Sequence, residues 1–407
     1  MRAGLRTVQT LGVPRRRAGA LHGGVDAVVV ALKTRTSPAD QAVRESRAAA
    51  RWLLDASCRQ LYQKYCSTFD STSAGNIGPV TDALMAQTGA DLTVVCPAFP
   101  ATGRTVYRSH LFVGEELLSD SGMRSHPLTP MTDSNVRRLL QAQTPSRVGA
   151  LTIEVVRSGV DAVRAGLLRL QAAGVRMVVV DAIDDADLDV LAEATRHLAL
   201  LTGGSGLGQG LRWHARRGRQ PEATGAAAAA GLPDVGGSQA VLAGSCSQAT
   251  LEQLAHVRGR YPTWQLDPRR LAQGSGAVVD QIASWAVPYL PSGPVVVAAS
   301  AEPATVRQVQ AELGVDAAGA LVDRALGLVA QRLVAVGVRR LVVAGGETAG
   351  AVTAALGVEA LRIGSPIDPG VPWTLGETAD GTVLQLALKS GNFGAKDFLH
   401  RCWCSPT

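Results

Sequence analysis

The sequence predicts an α/β protein of two domains, each an open, mostly parallel sheet covered by helices. Hydrophobic residues make up 46% of the chain and charged residues only 18%, a balance typical of parallel strands that are buried on both faces. Short apolar runs alternate with helix-like segments, as in strand–crossover–strand units. At 407 residues the chain is long enough for two or three domains.

The first half of the chain shows this alternation clearly. We predict strands over residues 5–10, 25–32, 60–66, 91–96, 148–155 and 175–180. Helices are predicted over 39–54, from about 79, over 158–173 and over 185–199. Because 25–32 is nearly all Val, Ala and Leu, it predicts a parallel strand covered on both faces.

The second half repeats the pattern after a segment rich in Arg, Gly and Ala at 212–231. Strands are predicted over 239–243, 293–300, 339–344 and 383–389, and helices over 248–258 and 303–334. The predicted organisation is a first domain at 1–211, a linker at 212–236, a second domain at 237–400 and a tail at 401–407.

Charge and cysteine usage limit the possible classes of function. The formal charge is +6, but the basic residues are scattered arginines without interleaved aromatics, which favours small anionic ligands over nucleic acid. No apolar run reaches the roughly 20 residues that span a bilayer. The six cysteines lack the spacing of a zinc site or a disulfide framework, so we expect reduced thiols and a cytoplasmic protein. A homo-oligomer is left open.

A polar loop at 64–78 is the first candidate binding element. It contains Lys64, Asp70, five Ser or Thr hydroxyls, and Asn76 between two glycines. Such a loop can bind a hydroxylated anion, with the lysine on a carboxylate and the hydroxyls and Asp70 on sugar hydroxyls. The alternative is an ordinary polar turn in which Asp70 or Asn76 only caps local structure. In an open parallel sheet this loop and the loop at 96–104 both lie at the ligand-binding edge.

Glycine-rich turns mark the second half. Residues 344–350 follow an apolar strand and open a helix, an arrangement that favours phosphate through exposed N–H groups and the helix dipole. The turn matches neither the Walker A nor the dinucleotide pattern, and a plain strand-to-helix turn is the alternative. Three further turns, at 244–247, 370–373 and 389–394, strengthen the interpretation as a polyphosphate cradle with an aromatic adenine surface at Trp373.

With these residues in view, the chain resembles the four-carbon acid sugar kinase family from about residue 5 to residue 398. The segment at 64–76 is similar to the family's Asp-Ser-Thr-x-x-Gly-Asn substrate loop, and 97–104 to its second sugar-acid segment. The segments 121–123 and 126–133 also match. In the second half, 244–247, 345–348, 370–373 and 389–394 resemble the family's ATP-binding loops.

The resemblance implies an N-terminal sugar-acid domain, a C-terminal nucleotide domain and an active site in the cleft between them. It further implies transfer of phosphate from ATP, with Mg²⁺, to the terminal (4-) hydroxyl of a four-carbon sugar acid of the 3-oxo-tetronate type; the protein ligands of Mg²⁺ are not identified. Phosphoryl transfer needs groups that position both partners. The residues assigned are Asp70 as proton acceptor; Lys64 and Arg104 for the carboxylate; Ser71, Thr72 and Asn76 for hydroxyls; and Ser245, Gly345, Gly346, Glu347, Thr348 and Gly391 for the nucleotide.

Both ends of the chain depart from the family pattern. Family members begin with a strand and a loop of the type Ala-Asp-Asp-Phe-Thr-Gly-Ala, whereas this chain starts where the following helix should be ending. We therefore expect that strand and its aspartates to be missing and stability to be reduced. The end of the chain, 399–404, is unlike the usual apolar helix end.

Two other classes of function remain. A catalytically impaired remnant that still binds sugar acid or nucleotide follows from the expected loss of the first strand. A nicotinamide-dependent oxidoreductase is less supported, because no glycine-rich turn here has the dinucleotide pattern with an acidic residue about 20 positions later.

Overall fold

The computed structural model describes residues 5–14, 25–32, 34–35, 37–125, 129–211, 232–368 and 370–404. The chain folds into two compact units: residues 1–6 and 12–225 form the first, and residues 7–11 and 226–407 form the second. The predicted α/β class with two mostly parallel sheets is confirmed. Residues 212–231 of the linker predicted at 212–236 lie outside the described residues, and the domain boundaries stay a prediction.

The first unit is built on a five-stranded, wholly parallel sheet in the order β3-β10-β4-β9-β8. The strands of this unit are β2 (Ala27–Ala31), β3 (Leu61–Lys64), β4 (Thr93–Cys96), β5 (Arg104–Tyr107), β6 (His110–Val113), β7 (Glu116–Leu117), β8 (Val148–Leu151), β9 (Met177–Val180) and β10 (Leu200–Gly203). Its helices are α1 (Ala39–Asp55), α2 (Ile77–Thr88), α3 (Val136–Gln141), α4 (Ile153–Arg157), α5 (Val160–Ala172), α6 (Asp185–Thr195) and α7 (Ser205–Gln209). Strands β5, β6 and β7 form a small antiparallel sheet that was not predicted.

The second unit contains a larger mixed sheet in which eight of its strands follow the order β12-β13-β11-β14-β17-β16-β15-β1. The strands are β1 (Thr7–Leu11), β11 (Ser238–Ala243), β12 (Thr263–Gln265), β13 (Val295–Ala298), β14 (Val338–Ala344), β15 (Ala360–Asp368), β16 (Val371–Glu377) and β17 (Val383–Lys389). The first five in spatial order are parallel, and β16, β15 and β1 are added antiparallel. The helices are α8 (Gln248–Val257), α9 (Pro268–Ala286), α10 (Pro303–Leu313), α11 (Val315–Ala335), α12 (Gly346–Ala355) and α13 (Phe398–Arg401).

The core of the second unit lies on both faces of its sheet. Val241 and Ala243 pack into one cluster of buried side chains, whereas their neighbours Ala240 and Leu242 pack into another. Successive side chains of a strand point to opposite faces, so both faces are covered. This double cover explains why these strands are continuous apolar runs rather than alternating patterns.

Several predicted elements differ from the structure. The predicted strand at 148–155 ends at Leu151, because α4 begins at Ile153. The predicted helix at 303–334 is two helices separated at Gly314, whose φ of +86° breaks the helical backbone. The expectation that 25–32 is covered on both faces is wrong, since Val29 in the middle of β2 is 45% exposed. Strand β1 pairs antiparallel with β15, about 350 residues away in sequence, and thus belongs to the second unit.

The polar-looking end of the chain is part of the core of the second unit. Phe398, Leu399 and Cys402 are fully buried there. The indole Nε1 of Trp373 donates to the carbonyl oxygen of Cys402 at 3.3 Å. The Arg340 guanidinium carbon lies 5.1 Å from the Trp373 ring centroid and 5.7 Å from that of Trp403, a cation–π arrangement. The segment 399–404, which departs from the family's apolar helix end, therefore contributes buried side chains to this core. It does so although its short helix carries no apolar sequence pattern.

All six cysteines are free thiols, in agreement with the expectation of reduced cysteines. Within the part of the chain that the structure describes, no helix is both long and apolar enough to cross a membrane.

Replacing Phe398 by alanine tests the packing of the chain end into the core of the second unit. Because the ring is fully buried, Phe398→Ala is expected to lower the free energy of unfolding by about 3–5 kcal/mol. Phe393→Ala removes a ring that is 47% exposed five positions earlier and is expected to change it by less than about 1 kcal/mol. Urea denaturation followed by tryptophan fluorescence measures both. Equal midpoints for the two variants would contradict the assignment of the chain end to the core.

Candidate active site

The two predicted sugar-acid loops leave the same edge of the first sheet. Lys64 at the end of β3 and Cys96 at the end of β4 both pair in register with Gly203 of the central strand β10. Neighbouring parallel strands lie about 4.8 Å apart, so the loops at 65–76 and 97–103 begin roughly 10 Å from each other. Their predicted position at the carboxyl edge of the strands is confirmed.

Asp70 is held in a strained turn of the first loop. Phe69 and Asp70 have φ values of +62° and +25°, a region that non-glycine residues seldom occupy and that marks functional sites. The Phe69 side chain is fully buried and meets Tyr65 edge to face at 5.5 Å, which offsets the strain. Asp70 itself is 8% exposed, accepts a hydrogen bond from Thr68 Oγ1 at 2.5 Å and lies 3.5 Å from Arg35 Nη1. The carboxylate is thus fixed between a hydroxyl and a cation.

Gln143, which sequence analysis missed, fixes the rest of this loop. Its Nε2 donates to Ser71 Oγ at 3.0 Å and to the Thr72 carbonyl at 2.6 Å, while its Oε1 accepts from the Gly78 N–H at 2.9 Å. A Cβ on Gly75 would lie 1.9 Å from Ser71 Oγ, so only glycine fits there. The hydroxyl of Ser71 is left with its own proton to donate.

Asn76 has a positioning role in addition to any contact with a ligand. Its Nδ2 donates to the carbonyls of Thr34 and Ser37, at 2.7 and 3.0 Å. The side chain makes no cap hydrogen bond to α2, so the alternative of a simple helix cap does not hold. By holding the residues on both sides of Arg35, Asn76 brings that guanidinium next to Asp70.

Lys64 and Arg104 differ in their surroundings. Lys64 is exposed at the end of β3. The Arg104 guanidinium donates through Nη1 to the Thr102 carbonyl, and its buried Nε has no hydrogen-bond partner. Among the described residues, no hydrogen bond or ion pair joins Arg104 to the loop at 64–78. The structure therefore places Arg104 at the same edge but not in the network around Asp70.

The acidic residues that follow β9 serve the fold. Asp181 accepts three main-chain N–H groups, from Arg108, Ser109 and Ile153, at 2.7–3.1 Å, and its burial raises the pKa of the carboxyl. Asp184 and Asp187 form a reciprocal capping box at the start of α6. Charge at a helix start accounts for Asp184 and Asp187. No group of three or more His, Cys, Asp or Glu side chains suited to a metal occurs in the described ranges.

Three glycine turns of the second unit meet at one edge. Ala243, Ala344 and Lys389 pair side by side at the ends of β11, β14 and β17. The Gly345 N–H donates to the Lys389 carbonyl at 3.0 Å, and the Ser245 N–H to the Ala344 carbonyl at 3.1 Å. Gly345, with φ of +128°, turns the chain into α12.

The space between these turns admits no side chain. A Cβ on Gly391 would lie 2.2 Å from Ser245 Oγ, and one on Gly244 would lie 2.1 Å from Thr348 Oγ1. Helix α12 begins at Gly346 beside these turns, and the N–H groups and positive dipole end of a helix start are the features that bind phosphate. The residues present therefore fit a phosphate group. We name this feature, comprising residues 244–247, 345–348 and 389–391, the phosphate cradle.

The side chains of the cradle are partly committed to the protein. Thr348 Oγ1 donates to Asp323 Oδ1 on α11 at 2.8 Å, and Ser247 caps α8 by accepting from the Thr250 N–H. Gly346 and Glu347 are exposed at the start of α12. Asp323 and Thr250 were missed by sequence analysis, since each lies far along the chain from the turn that it supports.

The predicted adenine surface is wrong. Trp373 is fully buried, because its side chain points into the core that also holds the chain end. The exposed aromatic ring at this edge is Phe393, which is 47% exposed and would lie 3.0 Å from a Cβ on Gly370. Gln253 supports the backbone beside that ring by donating to the carbonyls of Phe393 and the next two residues, at 2.8–3.1 Å.

One unit carries a polar, hydroxyl-rich loop and the other carries a phosphate cradle. A protein with both features is typical of the sugar kinases. Comparisons with known proteins agree: a family model described as a sugar-binding N-terminal domain matches residues 1–211, and one described as a nucleotide-binding C-terminal domain matches residues 240–399.

Full-length relatives make this assignment specific. The chain is 52% identical over 401 residues to a 3-oxo-tetronate kinase of Burkholderia multivorans, covering 98% of this chain and 92% of the relative. It is 50% identical to a 3-oxo-tetronate kinase of Pseudomonas fluorescens, covering 98% and 91%. A crystal structure of a Haemophilus influenzae protein of the DUF1537 family is 40% identical, with a TM-score of 0.88 and coverage of 99% and 95%. The chain belongs to the four-carbon acid sugar kinase family and is by class a sugar-acid kinase.

Gly391→Ala tests the cradle. The added Cβ would clash with the hydroxyls of Ser245 and Ser247, at 2.2 and 2.8 Å, and is expected to weaken ADP binding at least about tenfold by moving one wall of the cradle. Gly319→Ala places a Cβ in open space on a helix and is expected to leave the Kd unchanged. Isothermal titration calorimetry gives both values. A Kd for Gly391→Ala within twofold of the wild type would argue against the cradle as the phosphate site.

Proposed function

We propose that this enzyme transfers the γ-phosphoryl group of ATP to the terminal (4-) hydroxyl of a four-carbon sugar acid of the 3-oxo-tetronate type. The observation that carries the proposal is the buried Asp70 carboxylate, held in a strained turn beside a cation. The 3-oxo-tetronate kinases that match nearly the whole chain at 50–52% identity support this choice of substrate.

Asp70 is the proposed proton acceptor for the attacking hydroxyl. Phosphoryl transfer depends on positioning and charge neutralisation more than on covalent chemistry by the protein, and a fixed carboxylate can orient the hydroxyl and take its proton. Thr68 holds one carboxylate oxygen at 2.5 Å. The other oxygen lies 3.5 Å from the exposed guanidinium of Arg35 and can receive the substrate when that side chain moves.

The remaining side chains of this loop suit a polyhydroxy acid. Ser71 Oγ accepts from Gln143, so its proton points to a ligand oxygen. Asn76 uses both N–H donors on main-chain carbonyls, which leaves its carbonyl oxygen to accept from a sugar hydroxyl. Thr72 is half-buried beside them. Lys64 and Arg104 are proposed to bind the substrate carboxylate, the group that a cation at this edge attracts.

The phosphate cradle is the proposed site of ATP. The main-chain N–H groups of Gly346, Glu347 and Thr348 in the first turn of α12 would bind the phosphates, and Ser245 and Gly391 would flank them. Gly345 would position that turn, since its own N–H is donated to the Lys389 carbonyl. Mg²⁺ would arrive with ATP and neutralise charge on its phosphates. Mg²⁺ is commonly bound through substrate phosphates, water and one or two carboxylates; no protein ligand is assigned to it.

In-line transfer needs the 4-hydroxyl and the γ-phosphate about 3–3.5 Å apart. We therefore propose that the active site forms in a cleft where the sugar-acid loop and the cradle come together in the ternary complex. The six free thiols fit the proposed place of action, the reducing cytoplasm.

Asp70→Asn tests the role of the carboxylate. The amide keeps the size of the side chain but cannot accept the proton, so kcat is expected to fall at least about 100-fold with little change in the KM for ATP. A coupled ADP-release assay against a panel of tetronates and 3-oxo-tetronates measures this. The control is Asp91→Asn, which changes an exposed carboxylate just before β4.

Undiminished turnover by Asp70→Asn would remove Asp70 as the proton acceptor. If the folded wild-type chain released no ADP with any acid of the panel, the proposed reaction itself would fail.

Lys64→Met tests recognition of the carboxylate. Losing one charge-assisted contact is expected to lower kcat/KM for the sugar acid at least about tenfold without lowering it for a four-carbon ketose that lacks the carboxylate. Arg59→Met is the matched control, because Arg59 is an exposed cation just before the opposite end of β3. An equal loss of kcat/KM for the acid and the ketose would show that Lys64 does not bind the carboxylate.

A further inference from the structure

Lys389 is a buried cation at the centre of the phosphate cradle. It ends β17, is 1% exposed, and pairs in register with Ala344 at the end of β14. Its Nζ donates to Thr250 Oγ1 at 3.1 Å, to the Ser390 carbonyl at 3.2 Å and to the Gly391 carbonyl at 3.0 Å. An ammonium group has three donors, so all of them point to protein oxygens. Lys389 therefore does not bind phosphate through its own N–H groups.

The oxygens that Lys389 holds belong to one wall of the cradle. Gly391, whose carbonyl it binds, is the residue that approaches the Ser245 hydroxyl too closely for any side chain. Thr250 donates to the same Gly391 carbonyl at 2.9 Å. The main chain of Lys389 also accepts from the Gly345 N–H at 3.0 Å. One residue thus ties the turn after β17 to the turn after β14.

The charge of this group has no partner among the acids of the described residues, none of which forms an ion pair with Lys389. The ionisable side chains on the neighbouring turns and helices, α8 included, are Cys246, Glu252, His256, Asp323, Glu347, Lys396 and Asp397. Burial alone lowers the pKa of the Lys389 amine to about 8. An uncompensated buried charge is costly, and a phosphate in the cradle would offset that cost.

We propose that Lys389 is a positioning residue of the nucleotide site: its ammonium fixes the 390–391 wall of the cradle and places a positive charge behind the bound phosphates, so nucleotide binding and protonation of this amine are coupled. This inference rests on the proposed use of ATP, and it adds a residue that acts through Gly391 rather than by touching the phosphates.

The coupling has a defined sign. A phosphate anion nearby favours the charged amine and raises its pKa. In the free enzyme about half of the amine is neutral at pH 8, so binding at that pH is expected to take up about half a proton. Well below pH 8 the amine is already charged, and no proton is taken up by this group. At pH 9 the Kd is expected to be about tenfold weaker than at pH 7.

The experiment titrates the full chain with ADP at pH 7, 8 and 9, by calorimetry in pairs of buffers with different ionisation enthalpies. The dependence of the measured heat on buffer gives the number of protons bound. Lys389→Met is expected to abolish the uptake at pH 8 and to make the Kd independent of pH across this range. Lys396→Met, which removes an exposed lysine of the same loop, is expected to retain the uptake.

The outcomes separate the two proposals. Measurable ADP binding without proton uptake in the wild type overturns the role of Lys389 and leaves nucleotide binding intact. Failure to bind ADP at any pH overturns both. If circular dichroism shows that Lys389→Met does not fold, Thr250→Val keeps the lysine and removes one acceptor; the uptake is then expected to reach its maximum at a lower pH, and an unchanged pH profile overturns the inference.

Discussion

The lateral pairing of β11, β14 and β17 is the constraint on which the second unit depends. Their registers place Ala243, Ala344 and Lys389 side by side, so the turns that follow start at one level although they lie as much as 146 residues apart in sequence. The close approach leaves room only for glycines and small hydroxyl side chains. Helix α12 starts at this level, and its N-terminus is the part of the proposed cradle that favours phosphate. In the first unit the pairing of β3, β10 and β4 likewise brings the loops at 65–76 and 97–103 to one edge.

Sequence reasoning could locate these loops because they follow apolar runs, and runs of Val, Leu and Ala identify buried parallel strands. It could not say which sheet a strand joins. Strand β1 pairs with β15, which lies about 350 residues later in the sequence. Nothing in the five residues of β1 identifies that partner. The error over Trp373 has a related cause: whether a ring lies on the surface or in the core depends on which face of β16 is covered, and β16 is covered by the chain end. Gln143 and Asp323 gave no signal, since glutamine and aspartate are common and their partners are distant in sequence.

The backbone of the loop that carries Asp70 is strained, and contacts around the loop stabilise it in that conformation. Two successive non-glycine residues have positive φ, at a cost of about 1–3 kcal/mol each. Burial of the Phe69 ring and the three hydrogen bonds of Gln143 offset that cost. The Arg35–Asp70 pair contributes little, because the arginine is 60% exposed and the separation is 3.5 Å, the conditions under which ion pairs contribute least to stability. The loop is thus held by packing and by the hydrogen bonds of Gln143, the carboxylate itself by the hydroxyl of Thr68, and the exposed Arg35 side chain adds little.

The two sites use positive charge in different ways, and the difference follows from burial. In the first unit Lys64 and Arg35 are exposed, so their attraction for an anion is screened by solvent and salt. In the second unit the one lysine of the cradle is buried and fully hydrogen-bonded, so its field is strong and fixed. A nucleotide presents the same phosphates in every turnover, and a fixed charge suits a ligand of constant geometry. In the proposed complex, exposed cations around a fixed carboxylate would hold the acid group of the substrate, while the hydroxyls of the loop would select the arrangement of its hydroxyl groups.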